Sequence, residues 1–341
     1  MIEKVPSNEK VRGAHMAAEV AEAPGVFARA VAREVDIAAL EPTDWRAVYT
    51  IARGSSDAAA NILSYEMMRE TGLPVTSLPP SVFSVGRGVR MEGAAALVIS
   101  QSGASDDLVR SATGARAQGA RVLAITNVPG SKVEGAAECT LPIGAGPEHA
   151  VPATKTVVGA IGAGMALLSA LVPAYGARAR ADAAAFAAMG AVRHPEEGAL
   201  VSALLRSSHV YVIGRDTGYG AAQEVALKLK ETCALHAEAY SSSEVLHGPL
   251  QLVTRPLLIV ILDTGQDAVQ ESLDTAEARF RAAGGAVVRV RPADVGASGL
   301  TPAGAAALLL CLMYPVVQKV AVALGHDPDA PATLSKVTQT T

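Results

Sequence analysis

Short apolar runs rich in β-branched residues recur along the chain. Each is followed by a glycine or serine turn, then by 12 to 20 residues of helical periodicity. Val48-Tyr-Thr-Ile-Ala-Arg-Gly54 is such a run, and it returns as Val210-Tyr-Val-Ile-Gly-Arg-Asp216, 162 positions later (48 to 210). The same offset maps Leu97-Val-Ile-Ser100 onto Ile259-Val-Ile-Leu262, and Gly119-Ala-Arg-Val-Leu123 resembles Gly285-Ala-Val-Val-Arg289. Strands alternating with helices signify βαβ units and a parallel sheet, and the recurrence signifies two copies. The pattern predicts an α/β chain of two tandem doubly wound parallel-sheet domains related by internal duplication. They are expected at 46–190 and 195–325, after an Ala/Glu-rich helical arm over 1–45 that breaks at Pro24, and before a polar tail over 326–341.

Two uncharged stretches test this reading. Residues 156–177 carry no charge over 22 positions, enough to span a bilayer. Gly159, Gly162, Gly164 and Pro173 lie inside, with no aromatic belt or Lys/Arg asymmetry at the flanks. A buried helix of a large α/β core is therefore expected. Residues 302–317 are too short to span and read as a second core helix, so no membrane is implied. With 341 residues, 50% hydrophobic but 4% aromatic, the core must be built from Ala, Val, Leu and Ile. The 29 Lys and Arg against 33 Asp and Glu leave a net charge of −4, which offers no basic surface to nucleic acid or anionic lipid. Cys139, Cys233 and Cys311 are scattered and odd in number, pointing to a reducing, cytoplasmic setting. The opening MIEKVPSNEK lacks an apolar core, so no secretory leader is expected.

The two copies differ after their second sheet strand. The first reads Ser100-Gln-Ser-Gly-Ala-Ser105 and the second Leu262-Asp-Thr-Gly-Gln-Asp267. Ligand crevices of open parallel sheets lie at the carboxyl ends of strands, and helix N-terminal N–H groups with hydroxyls hold phosphate. Ser55 and Ser56, after the first strand, would join Ser100, Gln101, Ser102 and Ser105 in one comb. Capping by Ser105 explains one hydroxyl, not five around one crevice. Asp106 and Asp107 suit the helix dipole but would repel phosphate, so both are expected to point away.

Other clusters are less telling by spacing. Glu224, Lys228 and Glu231 share one helical face, which reads as a solvated face with i, i+4 pairs. Ser241-Ser-Ser-Glu244 fits a capping box. His247 is as readily an ordinary turn residue as a functional one, and Lys336 sits in a terminal tail of the kind that frays. No Gly-Lys dipeptide permits a P-loop, and no His-Glu-x-x-His helix is present. Cys233-Ala-Leu-His236 puts two ligand types on one helix with nothing to complete a tetrahedral metal set. Gly214 to Gly220 has the wrong spacing for a dinucleotide fingerprint, and no paired His–Asp accompanies the serines.

Taken in order, Ser-Gln-Ser-Gly at 100–103, the repeat, and Ala-Leu-Lys-Leu-Lys-Glu at 226–231 resemble the sugar isomerase (SIS) domain family. Val151-Pro-Ala-Thr-Lys155, His236-Ala-Glu-Ala-Tyr240, Glu244-Val-Leu-His-Gly-Pro-Leu250 and Leu334-Ser-Lys-Val-Thr338 extend the resemblance over nearly the whole chain. It is most similar to the isomerase half of the glucosamine-6-phosphate synthases. The resemblance implies flavodoxin-like three-layer SIS domains. It implies that Ser55, Ser56, Ser100, Gln101, Ser102 and Ser105 bind a sugar phosphate, with Val151 lining the sugar. It gives Glu231 the transfer of a proton between C1 and C2, with Lys228 supporting it. His247 would open the sugar ring from the neighbouring subunit of a homodimer. Lys336, with Ser335 beside it, would close over the open-chain sugar. No cofactor or metal is implied.

These residue types suit the chemistry. Aldose–ketose interconversion needs one base that reaches both carbons, and a carboxylate beside an ammonium serves. Ring opening needs a group titrating near neutrality, as histidine does. A phosphate remote from the reacting carbons anchors and orients. The synthases, however, begin with a glutaminase domain whose cysteine follows Met1. Here residue 2 is Ile and about 45 residues precede the first strand, so release of ammonia from glutamine is not expected. Arg53 and Ala104 also differ from the synthases. Stand-alone double-SIS chains resemble instead the second type of glucosamine-6-phosphate deaminase, which yields fructose 6-phosphate and ammonia. The alternatives are a fructosamine-6-phosphate deglycase, a synthase-type isomerase that retains the amine, and a non-catalytic sugar-phosphate sensor. The sensors carry a helix-turn-helix domain, for which the arm has no room. A dinucleotide-dependent oxidoreductase has no fingerprint to support it.

Overall fold

The computed structural model describes residues 11–40 and 42–336. The start of the arm and the tail-motif residues Val337 and Thr338 lie outside the described residues. In chain order the first half contains α1 (Ala14–Val31), β1 (Ala47–Ile51), α2 (Gly54–Thr71), β2 (Val75–Ser77), α3 (Ser81–Ser84), β3 (Ala94–Ser100), α4 (Asp106–Ala117), β4 (Arg121–Thr126), α5 (Lys132–Ala136), β5 (Cys139–Pro142), α6 (Lys155–Leu171) and α7 (Pro173–Met189). The second contains α8 (Glu197–Leu205), β6 (His209–Gly214), α9 (Thr217–Cys233), β7 (His236–Ser241), β8 (Leu258–Leu262), α10 (Asp267–Ala282), β9 (Ala286–Val290) and α11 (Pro302–Ala323).

Both sheets are wholly parallel, with orders β2-β1-β3-β4-β5 and β7-β6-β8-β9. This is the doubly wound, flavodoxin-like order, and it confirms the expected tandem α/β architecture. The central strands β3 and β8 are buried at every position, as helix layers on both faces require. Pairing refines the duplication. Thr50 lies opposite Leu97, whereas Val212 lies opposite Val260. The counterpart of Leu97 is thus Val260, not Ile259, and the second crossover is one residue longer.

Three expectations fail, each for a local reason. Pro24 does not break the arm: α1 runs through it, with Pro24 buried inside. A proline removes one N–H from a helix, and here the packing of α1 against α6 outweighs that loss. The uncharged stretch at 156–177 is two helices rather than one, because Pro173 cannot continue α6 and instead opens α7. Residues 302–317 belong to a longer helix, since α11 continues past Gln318 and Lys319 to Ala323. By length and composition alone α11 would cross a membrane, but 83% of its apolar window is buried inside the protein.

One apolar core joins the halves, drawing Met16 from α1, Ile62 from α2, Ile161 from α6, Val225 from α9 and Leu309 from α11. Two of its few aromatics, Phe27 and Phe186, stack at 4.1 Å. The decisive contact for function is α2 on α9. A Cβ on Gly220 of α9 would stand 2.9 Å from the Ile62 nitrogen and 3.0 Å from the Ala58 carbonyl oxygen. Only glycine lets the two helices approach so closely. Through this contact α9, a helix of the second half, delivers side chains to the first sheet.

Candidate active site

β1 and β3 are neighbours, yet their following helices leave on different courses, and a cleft opens at their carboxyl ends. After β1, Arg53 is the extended N-cap residue of α2, and Gly54 takes φ +53°. Ser55 and Ser56 thus fall in the first turn. After β3, the Gly103 N–H donates to Ser100 Oγ at 3.1 Å and the Ala104 N–H to Ser102 Oγ at 3.3 Å. The Val133 N–H donates to the Gly103 carbonyl at 3.0 Å, which pins the turn from α5. Gly103 has φ +58°, and a Cβ there would lie 2.1 Å from Ser131 Oγ. Ser105 is the N-cap residue of α4, but its hydroxyl makes no capping bond. The capping account of Ser105 therefore fails.

The cleft encloses about 320 Å³. Its lining includes Ser55, Ser56, Ser100, Gln101, Ser102, Ser105 and Val151 from the first half. Lys228 and Glu231 enter from α9, and Ser335 and Lys336 from the tail. Two helix N-termini and a row of hydroxyls on one wall thus face a carboxylate–ammonium pair on another. His247 is not there: it ends a short 3-10 turn, Glu244–His247, and is exposed. Spacing had left that residue undecided, and a single chain does not bring it to the cleft. Among the described residues no group of three or more His, Cys, Asp or Glu could hold a metal ion.

The helical face of Glu224 and Lys228 is not solvated, contrary to the reading from spacing. Glu224 and Lys228 are buried, because α2 and α11 cover that face. Lys228 Nζ hydrogen-bonds Glu231 Oε2 and lies 3.6 Å from Glu224 Oε1. Burial alone would lower the lysine's pKa, but Glu224 and Glu231 outweigh it and the net shift is upward. Lys228 is thereby held as a cation. Burial pushes Glu224 up to about 7, against the pull of Lys228. Tyr314 Oη donates to Glu224 Oε1 at 3.0 Å, and the nearby Ser55 hydroxyl also favours the charged carboxylate. A chain of contacts thus runs from the serine comb through Glu224 and Lys228 to Glu231.

As far as Lys336, the tail is anchored rather than frayed. The Asp329 carboxylate accepts from the His15 and Met16 N–H groups at 3.0 and 2.8 Å, capping α1 from a distance. Its carbonyl accepts from the Val151 N–H at 2.9 Å. Lys336 Nζ then donates to the Ala150 carbonyl at 2.6 Å and to Glu148 Oε2 at 3.3 Å. Glu148 is buried and also accepts from the Thr154 and Thr156 N–H groups at the start of α6. Glu19 of α1 holds the same loop by accepting from the His149 and Ala150 N–H groups.

Three further expectations are corrected. Asp106 does face solvent, paired with Arg110, but Asp107 turns into the cleft wall beneath Arg53. The Arg53 guanidinium neutralises the carboxylate that was expected to point away. The 241–244 segment is not a capping box. Ser241 ends β7, and Arg215 Nη1 donates to both Ser241 and Ser243. Cys233 and His236 do not share a helix, since Ala234 turns left-handed between them. Glu148 and the pairing of Arg53 with Asp107 escaped sequence reasoning because the partners are distant along the chain.

Comparison with known proteins follows the same lines. The SIS domain model matches residues 43–170 and 203–290. A glutamine–fructose-6-phosphate aminotransferase (isomerizing) of Symbiobacterium thermophilum is 33% identical over 262 residues, 73% of this chain and 43% of that protein. One from Aeropyrum pernix is 32% identical over 321 residues, covering 84% of this chain and 50% of its own length. The chain spans about half the length of these curated relatives. A solved structure from Silicibacter pomeroyi DSS-3, which carries the proposed name phosphosugar isomerase, has a TM-score of 0.79 at 34% identity, covering 92% of this chain and 99% of that one. The glucosamine-6-phosphate deaminase of Thermotoga maritima, at 18% identity and a TM-score of 0.76, covers 96% of this chain and 100% of that one. It shares the fold.

Proposed function

The chain belongs to the SIS domain family, and from that premise we propose that it isomerises an aldose amine phosphate, glucosamine 6-phosphate, and releases ammonia to leave fructose 6-phosphate. The observation that carries this reading is the meeting of Glu231 and Lys228 with the serine comb in one cleft, beneath Lys336. The phosphate sits among Ser55, Ser56, Ser100, Gln101, Ser102 and Ser105, where hydroxyls and helix N-termini compensate its charge. Val151 lines the sugar, and Lys336 with Ser335 covers it. Glu231 takes the proton from C2 of the open-chain sugar and returns it to C1. The resulting C2 imine adds water and expels ammonia, so that one water is consumed for each ammonia released. Lys228, held cationic, stabilises negative charge as it develops on the sugar oxygens. His247 opens the ring from the second subunit of a homodimer, since its own chain leaves it exposed away from the cleft. All three cysteines are free thiols, in keeping with a cytoplasmic setting.

Ammonia release measured across glucosamine, galactosamine, N-acetylated and fructosamine 6-phosphates tests the reading directly. Glucosamine 6-phosphate is expected to lead, and preference for a fructosamine 6-phosphate would make the chain a deglycase instead. Removing an acid–base group costs about 10²–10⁴ in rate. Glu231→Gln is therefore expected to lose that much while still binding the sugar phosphate. Unchanged turnover would remove Glu231 from the mechanism.

A further inference from the structure

Arg53 and Asp107 join the two phosphate-facing turns from opposite sides. Arg53 is the N-cap residue of α2, and Asp107 lies in the first turn of α4. The Arg53 Nε donates to Asp107 Oδ2 at 2.7 Å. The carboxylate is wholly buried while the arginine side chain is half exposed, and both line the cleft. Asp107 Oδ1 is occupied by the Leu108 N–H at 2.9 Å. Asp57, the other acid near Arg53, is turned to the Ser77 hydroxyl at 3.5 Å. A guanidinium has five N–H donors in a planar fork. The bond to Asp107 uses the one on Nε, and among the described residues the two terminal nitrogens make no hydrogen bond.

We propose that Arg53 is a specificity-determining residue that binds the phosphate ester directly, aimed by Asp107 acting as its positioning residue. The inference rests on the functional reading above and deepens it. Hydroxyls and backbone N–H groups alone accept many small anions. A fixed fork adds a two-point contact that matches a phosphate dianion. The same ion pair removes the repulsion that a bare Asp107 would exert on the ligand. It also ties the α2 and α4 N-termini together, so both turns face one ligand position. The site then takes sugars carrying a dianionic phosphate ester and passes over their unphosphorylated forms.

Calorimetric titration of the whole chain with glucosamine 6-phosphate, inorganic phosphate and unphosphorylated glucosamine tests this. A lost charge-assisted hydrogen bond corresponds to about a 10- to 100-fold change in affinity. Arg53→Gln is expected to weaken both phosphates by that factor and leave glucosamine unchanged. Arg53→Lys, which keeps the charge and loses the fork, is expected to fall between wild type and Arg53→Gln. Wild-type affinity is expected to decline as the ester gains its second proton, near pH 6, and Arg53→Gln to flatten that decline. If Arg53→Gln binds both phosphates within about twofold of wild type, Arg53 does not read the ester, and the functional reading survives. If Arg53→Lys matches wild type, the fork held by Asp107 is not what discriminates. If wild type binds neither phosphate, the functional reading and this inference fall together. Thermal melting checks that each variant is folded, and a half-exposed side chain is compatible with replacement.

Discussion

Lys336 and Glu148 form an ion pair across the mouth of the cleft, with the ammonium 3.3 Å from Oε2 of a fully buried carboxylate. Glu148 is itself fixed by the start of α6, so the tail is moored to a rigid helix rather than to a loop alone. Glu148→Gln keeps the acceptor for Thr154 and Thr156 but removes the charge that holds Lys336. A charge-assisted contact of this kind contributes about 1.5–3 kcal/mol. The variant is expected to fold, to be cut by trypsin after Lys336 roughly tenfold faster, and to turn over more slowly. Mass spectrometry of the early digest checks it. An unchanged cleavage rate would mean that the Ala150 carbonyl alone moors the lysine.

Acid groups buried where the halves meet make stability depend on pH. Burial pushes Glu66 up to about 7, partly opposed by Arg69, and raises Asp182 to about 6. Both carry protons in the folded chain that the unfolded chain gives up at lower pH. Their stabilising contribution is therefore complete below the ordinary carboxylate range and is lost as pH rises through about 6 to 7. Glu66→Gln is expected to flatten this slope and to raise stability near pH 8 by about 1–3 kcal/mol, with little change near pH 4. Denaturant melts across that range read the slope, and a steeper decline in the variant would contradict it.

The βαβ repeat and the serine turns were legible because they are local: strand periodicity, turn residues and helix starts lie within a few positions of each other. Ser100, Gln101 and Ser102 could be placed at a strand end without knowing anything distant. Glu224 and Lys228 were misread as a solvated face because their covering helices, α2 and α11, come from remote segments. A buried ion pair and an exposed one have the same i, i+4 spacing. Only resemblance to a family singled out Glu231 and Lys336. The Arg53–Asp107 pair and Glu148 remained hidden, since the partners of Arg53 and Glu148 lie 54 and 188 positions away. The extra residue in the second crossover also escaped, because the all-apolar stretch Leu258–Leu262 offers no internal mark of register.

Gly220 sets how far α9 stands from α2, and hence where Glu231 sits relative to the serine comb. A Cβ at this place meets two backbone atoms of α2, so it cannot be absorbed by a rotamer change. Gly220→Ala is expected to part the helices and to cost about 1–3 kcal/mol of stability, as overpacked cores do. Displacement of a catalytic group by about 1 Å lowers rate by roughly 10²-fold. Turnover is expected to fall by that order, while affinity for inorganic phosphate, held by turns of the first half, changes little. A variant that loses phosphate affinity and turnover in parallel would show that the whole cleft, not the spacing of α9, depends on this glycine.

A site shared between two subunits makes a stronger demand than any single substitution. Glu231 lines the cleft of its own chain, and His247 stands exposed at the end of a short 3-10 turn. If His247 serves the neighbouring cleft, Glu231→Gln and His247→Ala each inactivate both sites of their own homodimer. A heterodimer with one subunit of each kind contains one cleft carrying both defects and one carrying neither. Mixing the two inactive proteins under conditions of subunit exchange is therefore expected to recover about half of the wild-type activity per heterodimer, through the one intact site. Differently tagged subunits allow heterodimers to be isolated and assayed for ammonia release from glucosamine 6-phosphate. Verified heterodimers without recovered activity would assign His247 to its own chain or to no catalytic role, and ring opening would then need another group.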